Sequence, residues 1–196
     1  MTRVRADKFL KLDEYESFTC LMEGSRLDAP RFDRDEAGKL RYAWRKNASA
    51  IDPQEERRLL NAGKIKADDL RWRLRDKTTG KTVTAHHGSV YWNAFRQRWI
   101  LIAVETGGAS SFLGEVWCAE AESPVGPWTT AVKIVTHDRY SFYNPKQHPM
   151  FDKDGGRYIF FEGTYTTMFS GNSRPTARYE YNQILYKLDL ADPRLR

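Results

Sequence analysis

The sequence predicts an all-β fold, a β-propeller of which this chain supplies about three blades of a larger ring. Its aromatic content is high, at 13% with six Trp, ten Tyr and ten Phe, and aromatic side chains favour pleated strands. Short apolar runs alternate with Gly, Pro and Asp turns, and a weak repeat recurs about every sixty residues. At 196 residues we expect one domain, 1–196, with approximate blades at 15–85, 86–136 and 141–190.

Three segments carry the repeat: FDRDEAGKLRYAW, WNAFRQRWILIA and FDKDGGRYIFFE, which begin at Phe32, Trp92 and Phe151. Each starts with an aromatic residue followed by Asp or Asn, crosses a polar turn and resumes as an apolar strand. Gly38 and Gly155 supply the turn conformations that a tight hairpin needs. The segments therefore predict three hairpins, one in each blade.

The second repeat predicts four strands, GSVYWN, RWILIAVE, GEVWCAEAE and TAVKIVT, with the turn SPVGPW between the last two. The third repeat predicts three strands, QHPMFD, RYIFFEGTY and YNQILYKLDL, with SGNSRPTARYE as a loop. Four antiparallel strands repeated at this spacing are typical of a propeller blade. Three blades do not close a ring, so we expect that the chain is part of a longer protein or closes by self-association.

Residues 51–63 predict a short helix instead of a strand. Asp52 is the expected N-cap, Pro53 takes the first helical position, and Glu55 completes a capping box. Gly63 is the expected C-cap. A second short helix is predicted at ADDLRW, followed by a hairpin around KTTGK. We therefore place a helical insertion near residues 52–71, between the second and third strands of the first blade.

The charge and cysteine patterns argue against several classes of protein. The 32 Lys and Arg residues are interleaved with 26 Asp and Glu, so the net charge of +6 does not form a nucleic-acid surface. Cys20 and Cys118 are isolated, which favours two buried free thiols over a disulfide or a zinc site. No membrane span and no signal-peptide pattern is present. Phosphate-loop, Gly-x-Ser-x-Gly and His-Glu-x-x-His motifs are also missing, and we expect no cofactor.

Polar residues at strand ends are the candidate functional residues. In a propeller, residues before the innermost strand of a blade meet residues at the end of its second strand, at one rim of the central channel. This rule selects nine residues of the second and third repeats: His86, His87, Glu105, Glu115, Asn144, Gln147, His148, Glu162 and Tyr165. Glu162 follows three apolar strand residues, where an ionised carboxylate is costly without solvent or a partner.

DKDGGRYIFFEG together with GEVWCAEAESPVGPWTTAVKIV resembles the five-bladed β-propeller glycoside hydrolases of the arabinanase and xylosidase type and related uncharacterised propellers. The resemblance covers residues 85–190 and implies a five-bladed ring, a secreted or periplasmic location, and a poly- or oligosaccharide bound at the channel mouth. It implies Glu162 as the catalytic acid, because glycoside hydrolysis uses a proton-donating carboxyl with a second carboxylate. The substrate-binding residues, taken from the rule for strand ends, are His87, Asn144, His148, Glu105, Glu115 and Tyr165.

The sequence departs from that family at one position: in the family, an Asp-Pro pair precedes the blade hairpin. Asn144-Pro145 or His148-Pro149 takes its place, so the base carboxylate stays open: it is Glu105, Glu115 or Asp28, or it lies in sequence outside this chain. This departure favours an alternative, a propeller that binds glycan or protein without catalysis. A third hypothesis is a metal-dependent lyase or isomerase, for which the proposed ligands are His87, His148 and Glu162.

Overall fold

The computed structural model describes all 196 residues and is mostly β, with 39% of the residues in strands and 14% in helical conformations. The strands form three open sheets, and there is one α-helix. The chain divides into two compact units, Met1–Arg71 and Trp72–Arg196. The predicted all-β class with one short helical insertion is therefore confirmed.

The first unit contains a small antiparallel sheet and the helix. Its strands, in the order β1-β2-β3, are β1 (Thr2–Arg3), β2 (Glu16–Thr19) and β3 (Ala43–Arg45). The predicted hairpin at residues 32–44 forms with a single bridge, between Arg34 and Leu40, around a turn that Gly38 closes by donating to the Asp35 carbonyl. The buried apolar side chains of this unit form one core cluster: Cys20, Leu21, Leu40, Ile51, Leu59 and Ile65.

The helix α1 spans Pro53–Asn61. Asp52 is its N-cap, as predicted, and its Oδ1 accepts hydrogen bonds of 2.8 Å from the backbone N–H groups of Gln54 and Glu55. The predicted capping box is wrong, because Glu55 accepts a 2.8 Å hydrogen bond from the side chain of Arg58 instead. The second predicted helix is only a 3₁₀ turn, Ala67–Asp69.

The C-terminal end of α1 lies one residue earlier than predicted. Ala62 is the C-cap, and Gly63 follows it with φ +67°, the left-handed conformation that glycine adopts without strain. Leu59 and Glu56 are the buried residues of the helix. The Glu56 carboxylate accepts a hydrogen bond of 3.1 Å from the Tyr42 hydroxyl, so this buried charge has a polar partner.

The second unit is built on a five-stranded sheet with the order β4-β8-β7-β6-β5. Its strands are β4 (Trp72–Asp76), β5 (Ala85–Asn93), β6 (Arg98–Glu105), β7 (Glu115–Ala121) and β8 (Trp128–Thr136). β5 to β8 form an antiparallel meander, which confirms the four strands predicted from the second repeat. β4 begins the predicted KTTGK hairpin, but within the sheet it pairs in parallel with β8. Trp72 lies opposite Trp128 in this pair, and both side chains pack in the same cluster.

A second, antiparallel sheet of this unit has the order β11-β10-β9. Its strands are β9 (Ser141–Gln147), β10 (Tyr158–Thr166) and β11 (Asn182–Asp189). β10, β11 and the loop between them match the predictions. The first strand does not, because it ends at Gln147 and QHPMFD continues into the 3₁₀ turn Pro149–Phe151. Pro149 has no N–H for a strand ladder, and its fixed φ suits the start of a turn.

Both faces of the five-stranded sheet are buried, because β6 is apolar at every interior position. Leu101 and Ala103 point to one face, where Trp117 and Trp128 pack. Ile100 and Ile102 point to the other face, where the cluster includes residues of the second sheet: Phe142, Ile159 and Phe161. The two sheets of the second unit therefore pack face to face. Trp92, at the outer end of β5, is 49% exposed.

Cys20 and Cys118 are both buried and free, as predicted. They belong to different core clusters, one in each unit. No helix has both the length and the apolar character that crossing a membrane requires.

Candidate functional site

β5 departs from regular pairing at its two histidines. Its register against β6 shifts between Ala85 and Gly88, so His86 and His87 together lie opposite Val104. A bulge of this kind turns side chains out of the regular alternation and is frequent beside functional sites. Gly88 allows the close approach of the strands, since a Cβ there would lie 2.2 Å from a carbonyl oxygen of β6. Both histidines are exposed as a result.

A second bulge lies in β9. The register against β10 shifts between Glu162 and Thr164, so Asn144 and Pro145 together lie opposite Gly163. Asn144 has φ +52°, a left-handed conformation that Asn adopts more readily than most residues. Pro145 cannot donate to a ladder, and a bulge is one of the places where a strand tolerates it. The Asn-Pro pair is thus a bulge and not the end of a strand.

The two bulges meet side chain to side chain. His87 Nδ1 lies 2.8 Å from Asn144 Oδ1. With this amide orientation His87 Nδ1–H donates to the oxygen, which leaves Nε2 of the neutral ring as an acceptor. The His86 ring stacks on His87 at a centroid distance of 4.3 Å, and Tyr143 lies 5.9 Å from His86 and 6.3 Å from His87.

Phe169 forms a further side of this cluster. It belongs to the loop of residues 167–181 between β10 and β11, and its ring centroid is 6.0 Å from that of Tyr143. The side chain is 57% exposed, so one ring face is open to solvent. We call His86, His87, Tyr143, Asn144 and Phe169 the bulge site.

The bulge site combines unused hydrogen-bonding groups with flat apolar surface. His87 Nε2 and Asn144 Nδ2 form no hydrogen bond within the chain, and they provide one acceptor and one donor. The pKa of His86 is lowered, because partial burial and the neighbouring His87 both disfavour its charged form. The arrangement therefore suits a neutral polar ligand with a hydroxyl-bearing edge and an apolar face.

Glu162 and His148 contact each other, and neither forms a hydrogen bond or an ion pair with the bulge site. Glu162 Oε1 lies 3.1 Å from His148 Nε2, and Glu162 pairs with Lys146 across the β9–β10 ladder. The Glu162 side chain is 39% exposed. The predicted catalytic acid thus has a histidine and a lysine as neighbours, and no second carboxylate is paired with it.

Glu105 and Glu115 extend the β6–β7 register by one residue, so they lie opposite each other on one face of the sheet. Burial raises the pKa of Glu105, whose carboxylate accepts a 2.9 Å hydrogen bond from Trp117 Nε1. Glu115 is 2% exposed, accepts a 2.7 Å hydrogen bond from Thr136 Oγ1 and lies 3.2 Å from Lys133 Nζ. Burial acts to raise its pKa, but these polar partners outweigh burial and lower it. The pKa of Glu105 is therefore raised and that of Glu115 is lowered.

Tyr165 lies at the end of β10 in a separate aromatic group. Its ring is 4.8 Å from Tyr140 and 5.7 Å from His137, and burial raises its pKa. His137 is buried, with its ring nitrogens 2.9 Å from the Gly114 carbonyl oxygen and 3.1 Å from the Tyr186 hydroxyl. Tyr165 therefore packs beside His137, a buried histidine that the rule for strand ends did not select.

Among the residues predicted from strand ends, the structure brings together His86, His87 and Asn144 at the bulge site, and separately His148 with Glu162 and Glu105 with Glu115. Gln147, also selected, instead donates to backbone carbonyls of β5 and β6 at 2.9 and 3.0 Å. Tyr143 was missed. Strand alternation could have indicated it, because Phe142 points into the core and the next side chain of a strand points the other way. Phe169 was missed because no sequence pattern marks a single aromatic residue in a loop.

No three His, Cys, Asp or Glu side chains are grouped so that they could hold a metal ion. His87 is bonded to Asn144, whereas His148 and Glu162 contact each other, so the ligand set of the metal-dependent hypothesis does not assemble.

Comparison of the chain with family models, curated proteins and solved structures found no match. The class of protein is therefore defined by the fold and the site alone. It is a β-rich protein in which two strand bulges present exposed imidazole and amide groups, with aromatic rings beside them.

Proposed function

We propose that the chain is a carbohydrate-binding β-propeller protein and that the sugar binds at the bulge site. The observation that carries the proposal is the meeting of the two bulges, which places His87 and Asn144 beside the half-buried Tyr143 ring, and the exposed Phe169 ring lies next to Tyr143. A pyranose or furanose ring offers hydroxyl groups at its edge and C–H groups on its face. Polar groups in the plane of the sugar and an aromatic ring against its face match both features.

The hydrogen-bonding inventory supports a neutral sugar. The unused acceptor at His87 Nε2 and the unused donor at Asn144 Nδ2 suit a hydroxyl group, which donates and accepts at the same time. The Tyr143 ring lies beside His87, and the Phe169 ring lies beside Tyr143.

The strand order of the second unit supports the propeller. The β5–β8 meander is followed by the β9–β11 meander, and the two sheets pack face to face. Their first strands are adjacent, since Gln147 N donates a 2.8 Å hydrogen bond to Ser89 Oγ. In a propeller these are the innermost strands of neighbouring blades, which would place the bulge site on the channel. Closing the ring would need further blades or a second copy of the chain.

The test is binding of arabinohexaose and xylohexaose, the sugars that the resemblance suggests, alongside a broad glycan panel. We expect His87→Ala, Asn144→Ala and Phe169→Ala each to weaken binding of the recognised glycan about tenfold, or about 1.4 kcal/mol. Phe112→Ala is the matched control for Phe169, since this loop residue is 51% exposed and lies outside the site. A protein that binds no glycan, or binds equally well in all variants, would contradict the proposal.

Hydrolysis of the bound glycan is a second candidate function. Glu105 and Glu115 favour it, because a carboxyl with a raised pKa next to one with a lowered pKa provides a proton donor and a base. Glu162 is the acid that the family resemblance implies, and it lies beside His148. Two acids are therefore proposed, and they can be separated by substitution.

Release of reducing ends from the recognised glycan is the measurement that separates the two functions. Hydrolysis by the wild-type protein that falls at least a hundredfold in Glu162→Gln, and not in Glu105→Gln, would support the acid from the resemblance. The reverse result would support Glu105. Tight binding with no release of reducing ends would leave the binding protein as the function.

A further inference from the structure

The loop of residues 167–181 has no regular secondary structure, and it carries Phe169. The β10–β11 ladder ends at the pair Tyr165 and Asn182, so the loop leaves and re-enters the sheet at neighbouring points. Loops of this length are usually mobile unless side chains tie them down. The position of Phe169 beside Tyr143 therefore depends on contacts made by the loop itself.

Glu180 provides those contacts. Its Oε1 accepts hydrogen bonds from the Thr167 N–H at 2.6 Å, from Thr166 Oγ1 at 3.1 Å, and from Thr167 Oγ1. Its Oε2 accepts a hydrogen bond of 3.2 Å from the Thr176 N–H. One carboxylate thus joins the end of the loop to its beginning and its middle. Glu180 is exposed, and no lysine or arginine pairs with it, so its partners within the protein are these loop donors.

The segment that Glu180 holds is the turn that presents Phe169. Thr167 begins this turn, and its carbonyl oxygen accepts hydrogen bonds from Ser170 N at 3.0 Å and Ser170 Oγ at 2.7 Å. The Met168 carbonyl oxygen accepts a 2.6 Å hydrogen bond from Ser141 Oγ, at the start of β9. Phe169 lies between Met168 and Ser170, which these hydrogen bonds hold in place. Tyr143, which the Phe169 ring contacts, is two residues after Ser141 in β9.

We propose that Glu180 is a positioning residue of the bulge site, which holds the 167–181 loop so that the Phe169 ring faces Tyr143. The consequence for ligand affinity rests on the proposed function, whereas the consequence for the loop does not. Without Glu180 the loop samples other conformations, and the apparent affinity falls by the fraction of molecules in which Phe169 is in place.

The test compares wild-type protein with Glu180→Ala and Glu180→Gln by amide hydrogen exchange and by NMR contacts between ring protons. In Glu180→Ala we expect the amides of Thr167 and Thr176 to exchange at least tenfold faster and the Phe169–Tyr143 contact to disappear. Glu180→Gln keeps a carbonyl acceptor and should give an intermediate result. The matched control is Glu122→Ala, because the Glu122 side chain is highly exposed and forms just one weak ion pair, at 3.6 Å from Arg98.

Affinity for the glycan that the wild-type protein binds is the second readout. Glu180→Ala should weaken binding about as much as Phe169→Ala, and the double variant should be no weaker than Phe169→Ala alone. Unchanged exchange, a retained ring contact, or faster exchange with unchanged affinity would each overturn the positioning role. If the wild-type protein binds no glycan, the proposed function fails, and the ring contact alone decides the role of Glu180.

Discussion

The rings of His137 and Phe142 lie almost parallel, with centroids 4.5 Å apart and an angle of 4° between their planes. His137 Nδ1–H donates to the Gly114 carbonyl oxygen at 2.9 Å, and Nε2 accepts from the Tyr186 hydroxyl at 3.1 Å. The neutral imidazole satisfies both partners, since it has one donor and one acceptor. Burial lowers the pKa of His137, against the opposing effects of the Gly114 carbonyl and Glu115.

Stability should therefore fall in mild acid. Because the pKa of His137 is lower in the folded state, the unfolded chain binds more protons below its ordinary pKa of about 6.5. The contribution of neutral His137 to the free energy of unfolding is fully present above that pH, and it is lost progressively as the pH falls toward the folded-state pKa. Urea unfolding from about pH 7.5 to about pH 5 should show this loss, and NMR titration should place the His137 ring transition below pH 6.5.

A variant separates His137 from the other histidines. His137→Phe keeps the stacking on Phe142 but removes the ring N–H that the Gly114 carbonyl accepts and the ring nitrogen that accepts from the Tyr186 hydroxyl. The Gly114 carbonyl keeps the backbone N–H of residue 137, so the variant should lose about 1–3 kcal/mol at neutral pH, chiefly through the Tyr186 hydroxyl. Its stability should depend less on pH than that of the wild-type protein. His86 also has a lowered pKa, and His86→Ala is therefore the control, in which most of the pH dependence should remain. Equal slopes in His137→Phe and wild type would contradict the assignment.

Gly88 should be required for the geometry of the bulge site. Alanine at this position would place Cβ 2.2 Å from the Ile102 carbonyl oxygen, and backbone cannot yield as a flexible side chain can. We expect Gly88→Ala to destabilise the protein by about 1–3 kcal/mol and to break the hydrogen bond between His87 and Asn144. Chemical unfolding and the NMR tautomer state of His87 would measure these two effects.

A second glycine variant distinguishes collision from backbone strain. Gly171 has φ +71° and open space around it, so Gly171→Ala tests the cost of a left-handed alanine alone. The His87 signal should be unchanged in Gly171→Ala. If Gly88→Ala left both stability and the His87 signal unchanged, the close approach of β5 to β6 would not control the site.

The strands of the five-stranded sheet could largely be predicted from the sequence. The apolar run of β6 and the SPVGPW turn before β8 have local causes, which are burial on both faces and residues suited to turns. β9 was misplaced because Asn144-Pro145 is typical of a strand end. Only the register against β10, a segment further along the chain, shows that these two residues form a bulge.

The candidate site could be predicted in part for the same reason. The rule for strand ends selected His87 and Asn144, but their hydrogen bond depends on two register shifts, each set by pairing with another strand. The Glu180 contacts span a loop without sequence periodicity, so no pattern indicated them. Local sequence thus identified which groups are polar and near strand ends, while the pairing of distant strands decided which of them meet.

Asp52 should be the residue that fixes the start of α1. Its side chain accepts from two N–H groups that have no partner within the helix. Asp52→Ala should reduce the free energy of unfolding by about 1 kcal/mol, whereas Asp52→Asn should be nearly neutral, because Asn caps helices about as well. Urea denaturation followed by circular dichroism would measure both variants. An equal loss in the two variants would show that the charge of Asp52 matters more than its cap.

The two thiols should be unreactive in the folded protein and should report on the two units separately. Burial raises the pKa of Cys118 to about 12 and that of Cys20 to about 11, so almost no thiolate is present near neutral pH. Ellman's reagent should therefore label each thiol only when its unit opens. In Cys20→Ser the labelling rate measures opening around Cys118, in the second unit, and in Cys118→Ser it measures opening of the first unit. Different rates in weak denaturant would show that the units open independently, whereas rapid labelling of either thiol in native buffer would contradict its burial.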